Sequence, residues 1–384
     1  MKILLITFNE LLPAAFQPGL FQDFLNVDNG YSAIVVDDVE PAKNFMSQYN
    51  YPANHIFPFY DLKECVENID YDCIVLLTHE NFRETLQDRI FESKPKTNFF
   101  VAFSGINSSY NFSVRIKLNY YKKFFSGVHI FATGISYSQA AFYNQVFDYR
   151  LMNLAQFAQD LYYDYQIAKK IFSYNVGKAK YVLIGLAPYS FHYDLSKSKT
   201  VTQRILPYYI ALNDVHNFAI PLEMYRSIVN DFYIKTEVKF NEGIFDAYQN
   251  TLSTEAMNTQ TKIQAICDGY EWNNKNFPET VAENKKILDD YLSLCEKNNA
   301  IPIMFLPPFP EGYRKHFSKE KLAEFYSFVN EARLNHIGTG FIDGWKMEKY
   351  FSDADFADGV HLNMQGAKKF SGILNAVIKN LEQS

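Results

Sequence analysis

The chain has 384 residues, 48% of them hydrophobic, with a net charge of −6 and a pI near 5.8. That length suits two domains with ample core, and the acidic balance argues against a nucleic-acid binder, whose contact face is basic. No run approaches the roughly 18 apolar residues that a membrane span needs.

Residues 1–10 form a strand-like run broken by polar side chains. The run is too short for a signal-peptide core and lacks a small-residue cleavage site, so the expected location is the cytoplasm. The sequons at Asn107 and Asn111 carry no meaning there. Cys65, Cys73, Cys267 and Cys295 show no C-x-x-C spacing. They read as buried, reduced thiols, and no zinc or other metal site is expected. The aromatic fraction of 17% reads first as an aromatic core and second as a source of sugar-stacking surface.

In chain order, strands are predicted at 2–7, 33–37, 73–78 and 97–103, and helices at 18–25, 41–48, 62–68 and 81–92. This alternation implies a small parallel α/β sheet over residues 1–122. Val35-Val36-Asp37-Asp38 resembles the second strand of a Rossmann-like unit, where an acid can bind a ribose. The first turn, Phe8-Asn9-Glu10-Leu11-Leu12, has no glycine, however, and a dinucleotide pyrophosphate needs close backbone approach there. A structural or partner-binding module is the expected reading. The stretch 107–125 is aromatic and basic, with Arg115, Lys117, Lys122 and Lys123. It is read as the connection into the second domain, its cations forming a solvated face, or alternatively a face toward an anionic substrate.

The second domain is placed at 123–384. Strands are predicted at 128–133, 149–154, 181–186, 301–306 and 340–342. Helices are predicted at 139–147, 157–172, 279–297, 319–335 and 367–381. Residues from about 195 to 298 are largely polar, helical only in patches, and read as a helical insertion or lid. No internal repeat or low-complexity segment occurs.

Two motifs carry chemistry. Near the C-terminus stands Asp358-Gly359-Val360-His361-Leu362-Asn363, followed by Gly366, between the last strand and the last helix. An acid three residues before a histidine suits a carboxylate that orients an imidazole acting as general base. Far upstream, the strand at 128–133 ends in Gly134-Ile135-Ser136. A serine on a sharp turn between strand and helix has an exposed hydroxyl and helix N-terminal N–H groups nearby. Ser138, further into the helix, is the rival nucleophile.

Together the motifs resemble the SGNH (GDSL-like) serine hydrolase superfamily, over roughly residues 125–384. Asp358 and His361 match its C-terminal block, and Asn363 and Gly366 fit it too. Ser136 matches the serine block as Gly-x-Ser, with Ile135 in place of the aspartate. The resemblance is closest to members that acylate or deacylate cell-surface glycans, including the D-alanine transfer proteins of teichoic acid. It implies a three-layer α/β sandwich with a parallel sheet and the triad Ser136, His361 and Asp358. It also implies oxyanion donors from the Ser136 N–H and from Ala158 or Gln159. The asparagine that supplies a third donor is missing from Gly185-Leu186-Ala187-Pro188, and Tyr189, Ser190 or His192 are the candidate substitutes for contact with substrate.

The implied reaction is transfer or removal of an O-acyl group, acetyl foremost, on a surface glycan or activated-sugar precursor. No permanently bound cofactor is expected, and acetyl-CoA is a candidate acyl donor. A plain carbohydrate esterase is one alternative. A non-catalytic scaffold of a glycan-assembly complex is the other, favoured by Ile135 and the missing asparagine.

Overall fold

A computed structural model describes residues 3–15, 33–71, 73–78, 100–104, 109–124, 128–174, 179–197, 201–217, 252–271 and 277–383, with a few positions of 82–90. Contacts group Met1–Ser113 with Ser196–Lys239 as one unit, and Val114–Leu195 with Phe240–Ser384 as a second. The division expected at residue 122 thus falls at Ser113, and the segment expected as an insertion at 195–298 contributes to both units.

The first unit holds β1 (Ile3–Thr7), β2 (Ala33–Val36), β3 (Ile56–Pro58), β4 (Cys73–Thr78) and β5 (Phe100–Ser104), with α1 (Leu12–Ala15), α2 (Val39–Ser47) and α3 (Leu62–Asn68). All strand pairs are parallel, in the order β3-β2-β1-β4-β5. The strand β2 is buried along its whole length, as expected of a parallel strand covered on both faces. Leu4, Ile6, Val35, Ile74 and Leu76 pack with Leu62 and Val66 of α3 in one core. The helix α2 starts where Asp38 caps it, accepting the Glu40 N–H at 3.2 Å. The strand β3 was not predicted; three residues at a sheet edge are too short to show a period of two. The predicted helix at 18–25 lies outside the described residues, and that at 81–92 is described, as helix, only in part.

The helix α4 (Ser109–Phe124) carries the chain into the second unit. That unit continues with β6 (Val128–Thr133), α5 (Ser136–Gln139), β7 (Arg150–Asn153), α6 (Leu161–Ser173) and β8 (Tyr181–Gly185). The helix α7 (Val201–Leu212) belongs to the first unit. The second unit resumes with α8 (Thr259–Glu271), α9 (Pro278–Lys297), β9 (Ile301–Leu306), α10 (Glu311–His316), α11 (Lys319–Asn335), β10 (Gly340–Asp343) and α12 (Met364–Gln383).

Its sheet is also parallel throughout, in the order β10-β9-β8-β6-β7. Ile130, Ala132, Leu183, Ile303 and Phe305 pack against Phe370, Leu374 and Ile378 of α12. Fully burying one such side chain is worth about 1.5–3 kcal/mol. Alternate residues face away from this cluster, and Phe131 meets Phe172 of α6 with ring centres 5.5 Å apart.

Two helix predictions differ from the structure for local reasons. The helix expected at 139–147 is the single turn α5, followed by a 3-10 turn at Asn144–Val146. The Gln139 carbonyl, which would accept the Tyr143 N–H, accepts Asn153 Nδ2 at 2.9 Å instead, and Tyr143 N donates to Ser371 Oγ at 2.8 Å. The helix expected from residue 157 begins at Leu161. Ala158 holds a left-handed φ of 57°, which no helix interior accommodates, and Asp160 caps the new start by accepting the Tyr163 N–H at 3.0 Å.

Candidate active site

In the second sheet the chain leaves β6 for β7 on one side and later pairs β8 on the other. In open α/β sheets ligands bind beyond the carboxyl ends of the strands at such a switch point. Gly134 follows β6 with φ 136°, and a Cβ there would lie 2.5 Å from Ser138 Oγ and 2.8 Å from the Gly185 carbonyl. Glycine thus permits the turn that puts Ser136 at the head of α5. The Ser138 and Gln139 N–H groups both donate to the Ile135 carbonyl. Those of Ser136 and Tyr137, in the first turn, have no acceptor within the helix.

Ser136 Oγ lies 2.9 Å from His361 Nε2. His361 Nδ1 lies 2.8 Å from Asp358 Oδ2 and 3.0 Å from Oδ1. Asp358 Oδ1 also accepts the Val360 and His361 N–H groups, each at 2.9 Å. The loop is closed by an antiparallel bridge between Phe356 and Leu362 and by Ala357 N donating to the His361 carbonyl at 2.9 Å. Asn363 anchors the following helix, its Oδ1 accepting the Gly366 N–H at 3.0 Å and its Nδ2 donating to the Ala354 carbonyl at 2.8 Å. Gly366 is required because a Cβ there would lie 2.1 Å from the Asp355 carbonyl.

Burial pushes the Asp358 carboxyl up, but the His361 hydrogen bond and charge, with the two backbone N–H groups, outweigh it and hold the carboxyl at about 2. It is therefore ionised at neutral pH and accepts Nδ1–H. Nε2 is then left as the acceptor for the Ser136 hydroxyl. The Tyr137 ring backs the imidazole with centres 5.5 Å apart.

A cavity of about 310 Å³ borders Ser136, Asp358 and His361, and its wall includes Lys117, Asn153, Phe157 and Leu252. Phe157 is 48% exposed. Lys117 is buried, and its Nζ donates to the Ala155 carbonyl at 2.5 Å and to Gln156 Oε1 at 3.2 Å. Burial pushes its ammonium down to about 7.

The remaining predicted site residues stand elsewhere. Ala158 and Gln159, the expected oxyanion donors, do not border the cavity. The Gln159 N–H donates to the Gln156 carbonyl at 3.1 Å and its side-chain amide to Asp164 at 2.5 Å. Asn153 and Phe157 of the same connection border the cavity instead. The left-handed Ala158 displaces the helix start by several residues, and nothing in the residue pattern marks that turn. Tyr189, Ser190 and His192 are likewise not at the cavity. Tyr189 is buried and donates its hydroxyl to Tyr137 at 2.8 Å, so it supports the ring behind His361. Ser190 Oγ accepts the Ala187 N–H at 2.8 Å, and His192 Nε2 pairs with Glu324 at 2.7 Å.

Ser138, the rival nucleophile, is fully buried between Gly134 and Gly185, and its hydroxyl has no partner among the described residues. Cys65 and Cys295 are buried, whereas Cys267 is exposed, contrary to expectation.

No protein-family model matches the sequence, and no curated protein matches it. Among the described residues, no helix is long and apolar enough to cross a membrane.

Proposed function

We propose that this chain is an SGNH-type serine enzyme that transfers or removes an O-acyl group, acetyl foremost, on a cell-surface glycan or its activated-sugar precursor. One observation carries this reading. Residues 225 positions apart in sequence meet as Ser136 Oγ–His361 Nε2 at 2.9 Å, with Asp358 on the other ring nitrogen. That is the arrangement in which a serine is activated by a base whose tautomer is held by an acid.

In this reading Ser136 Oγ attacks the acyl carbonyl carbon while His361 Nε2 takes its proton. The tetrahedral intermediate expels the alkoxide or thiolate of the donor, which leaves with the proton from His361. An acceptor hydroxyl or water, deprotonated by His361, then attacks the acyl-serine, and as the bond to Oγ breaks the imidazolium returns that proton to Ser136 Oγ. Asp358 stabilises the imidazolium in both halves. The Ser136 N–H is the first oxyanion donor. Acetyl-CoA is the candidate donor for transfer. The half-exposed Phe157 ring at the cavity supports a sugar acceptor, since a flat apolar face suits the apolar face of a pyranose.

The strand order of the second unit, with its first strand between its second and third, supports the sandwich implied by the resemblance. The order of the first unit, 3-2-1-4-5 in its own count, supports a Rossmann-like fold. Its role in our reading is structural or partner-binding. Asp37, one of the two acids that end the Val35-Val36-Asp37-Asp38 segment, accepts the Asn9 N–H at 2.7 Å and so ties the first turn to β2.

The scaffold reading keeps one specific support. The segment after β8, where a third oxyanion donor would stand, closes on itself through Ala187 N and Ser190 Oγ. Hydrolysis of an activated aryl acetate separates the two readings. Wild type is expected to turn over, with Ser136→Ala and His361→Ala each down at least about a thousandfold. Activity retained in Ser136→Ala would overturn the assignment, and an inert wild type would favour the scaffold.

A further inference from the structure

The connection that follows β7 is stitched to the nucleophile turn at several points. Leu154 N donates to the Ala132 carbonyl at 2.7 Å, and Gln156 N donates to the Gly134 carbonyl at 3.1 Å. The Gly134 N–H in turn hydrogen-bonds the buried Asp164 carboxyl. The peptide joining Ala155 and Gln156 is therefore held on both edges. A trans peptide points its C=O and N–H in opposite directions. Here the N–H reaches Gly134, and the C=O reaches Lys117 Nζ at 2.5 Å. The same ammonium donates to Gln156 Oε1 at 3.2 Å.

Lys117 is costly where it stands. It lies on α4 among the buried side chains Val114, Leu118 and Tyr121, on a stripe that an apolar residue would fill without desolvating a charge. A charge-assisted donor is roughly twice as strong as a neutral one, and an ammonium can serve both oxygens at once. Its side chain also borders the cavity of Ser136 and His361. Residues that break the local burial rule concentrate at functional sites.

We propose that Lys117 is a positioning residue for the nucleophile: it pins the Ala155–Gln156 peptide, which pins the Gly134 carbonyl two residues ahead of Ser136. This inference rests on the acyl-transfer reading above. Lys117 acts through the turn and need not touch substrate. Loosening the clamp lets Ser136 Oγ drift from the His361 nitrogen, which lowers the chemical rate and leaves the cavity to bind as before. Small misplacements of a reacting group lower rates by about tenfold to a hundredfold.

The test is the kinetics of labelling by a fluorophosphonate, resolved into a binding constant and a maximal rate, for the full-length wild type and Lys117→Met. The expected result is a maximal rate lower by about tenfold or more, a binding constant within threefold, and an unchanged or higher Tm. A maximal rate lowered by less than threefold in folded Lys117→Met overturns the inference. So does a joint loss of Tm, binding and rate, which marks a purely structural role. Should Lys117→Met not fold, Lys117→Gln, which keeps a donor without the charge, is read in the same way with an intermediate rate expected. Failure of both to fold also overturns the positioning role. A wild type that takes no label overturns the acyl-transfer reading itself, whereas a labelled wild type with an equally fast Lys117→Met overturns only the inference.

Discussion

Replacing Asp358 by asparagine separates the two tasks of its carboxylate. The amide oxygen can still accept the Val360 and His361 N–H groups, each at 2.9 Å in the wild type, so the loop should hold. The amide nitrogen would then face His361 Nδ1, which lies 2.8–3.0 Å from the carboxylate oxygens. A donor at that position selects the tautomer with its proton on Nε2, pointing at Ser136, and the base is lost. Turnover of an aryl acetate should fall by about ten-thousandfold, or roughly 5.4 kcal/mol on the barrier at 1.36 kcal/mol per tenfold. The stability change should be far smaller. The carboxyl is held at about 2 against an ordinary 3.8, which sets a ceiling of roughly 2 kcal/mol. With the side chain 45% exposed, solvent screening brings the expectation to about 1 kcal/mol. Because the folded value is depressed, that contribution is present above the unfolded carboxyl's pKa and is lost as pH falls through about 2. At pH 7 the variant should therefore melt only a few degrees below wild type, with its circular dichroism unchanged. Turnover within tenfold of wild type would refute the tautomer argument, whatever the stability.

Ser138→Ala should leave acylation within about threefold and stability unchanged or slightly raised, because it removes a buried hydroxyl without a partner among the described residues; a large loss of labelling would restore Ser138 as nucleophile. Gly185→Ala would place its Cβ 1.9 Å from Ser138 Oγ and 2.7 Å from the Phe305 ring, and should cost about 1–3 kcal/mol by urea titration; an unchanged midpoint would show that the turn yields freely. For His336, burial lowers the pKa, but hydrogen bonds to Asp289 at 2.8 Å and Glu296 at 2.9 Å outweigh it and raise the folded value. Its stabilisation is then complete below about 6.5 and lost as pH rises through the folded value, so wild-type Tm should fall more between pH 6 and pH 9 than that of His336→Gln; parallel curves would contradict this.

Much of this arrangement was legible in the residues. Asp358 and His361 are neighbours in sequence, and a tight loop before an amphipathic helix leaves them little freedom. Ser136 was legible because Gly134 interrupts an apolar strand. The strand β9 read cleanly because a parallel strand buried on both faces is an unbroken apolar run. What escaped depends on contacts between distant segments. The end of α5 is decided by Asn153 and Ser371, and the start of α6 by the left-handed Ala158 and the Asp160 cap. The oxyanion assignment to Ala158 and Gln159 relied on a helix start that this turn displaces. Tyr189 read as a loop aromatic free to meet substrate, and only the fold shows that its hydroxyl is spent on Tyr137. Lys117 was visible as one cation among several on a basic stretch. Its burial beside Ala155 could not be read from α4 alone.

The measurement that bears most directly on the central claim is the intact mass of the full-length protein after exposure to a fluorophosphonate at neutral pH, followed by peptide mapping. An activated serine beside His361 predicts a single adduct on the peptide carrying Ser136, abolished in Ser136→Ala and His361→Ala and retained in Ser138→Ala. A folded wild type that takes no adduct, or an adduct that persists in Ser136→Ala, would contradict it.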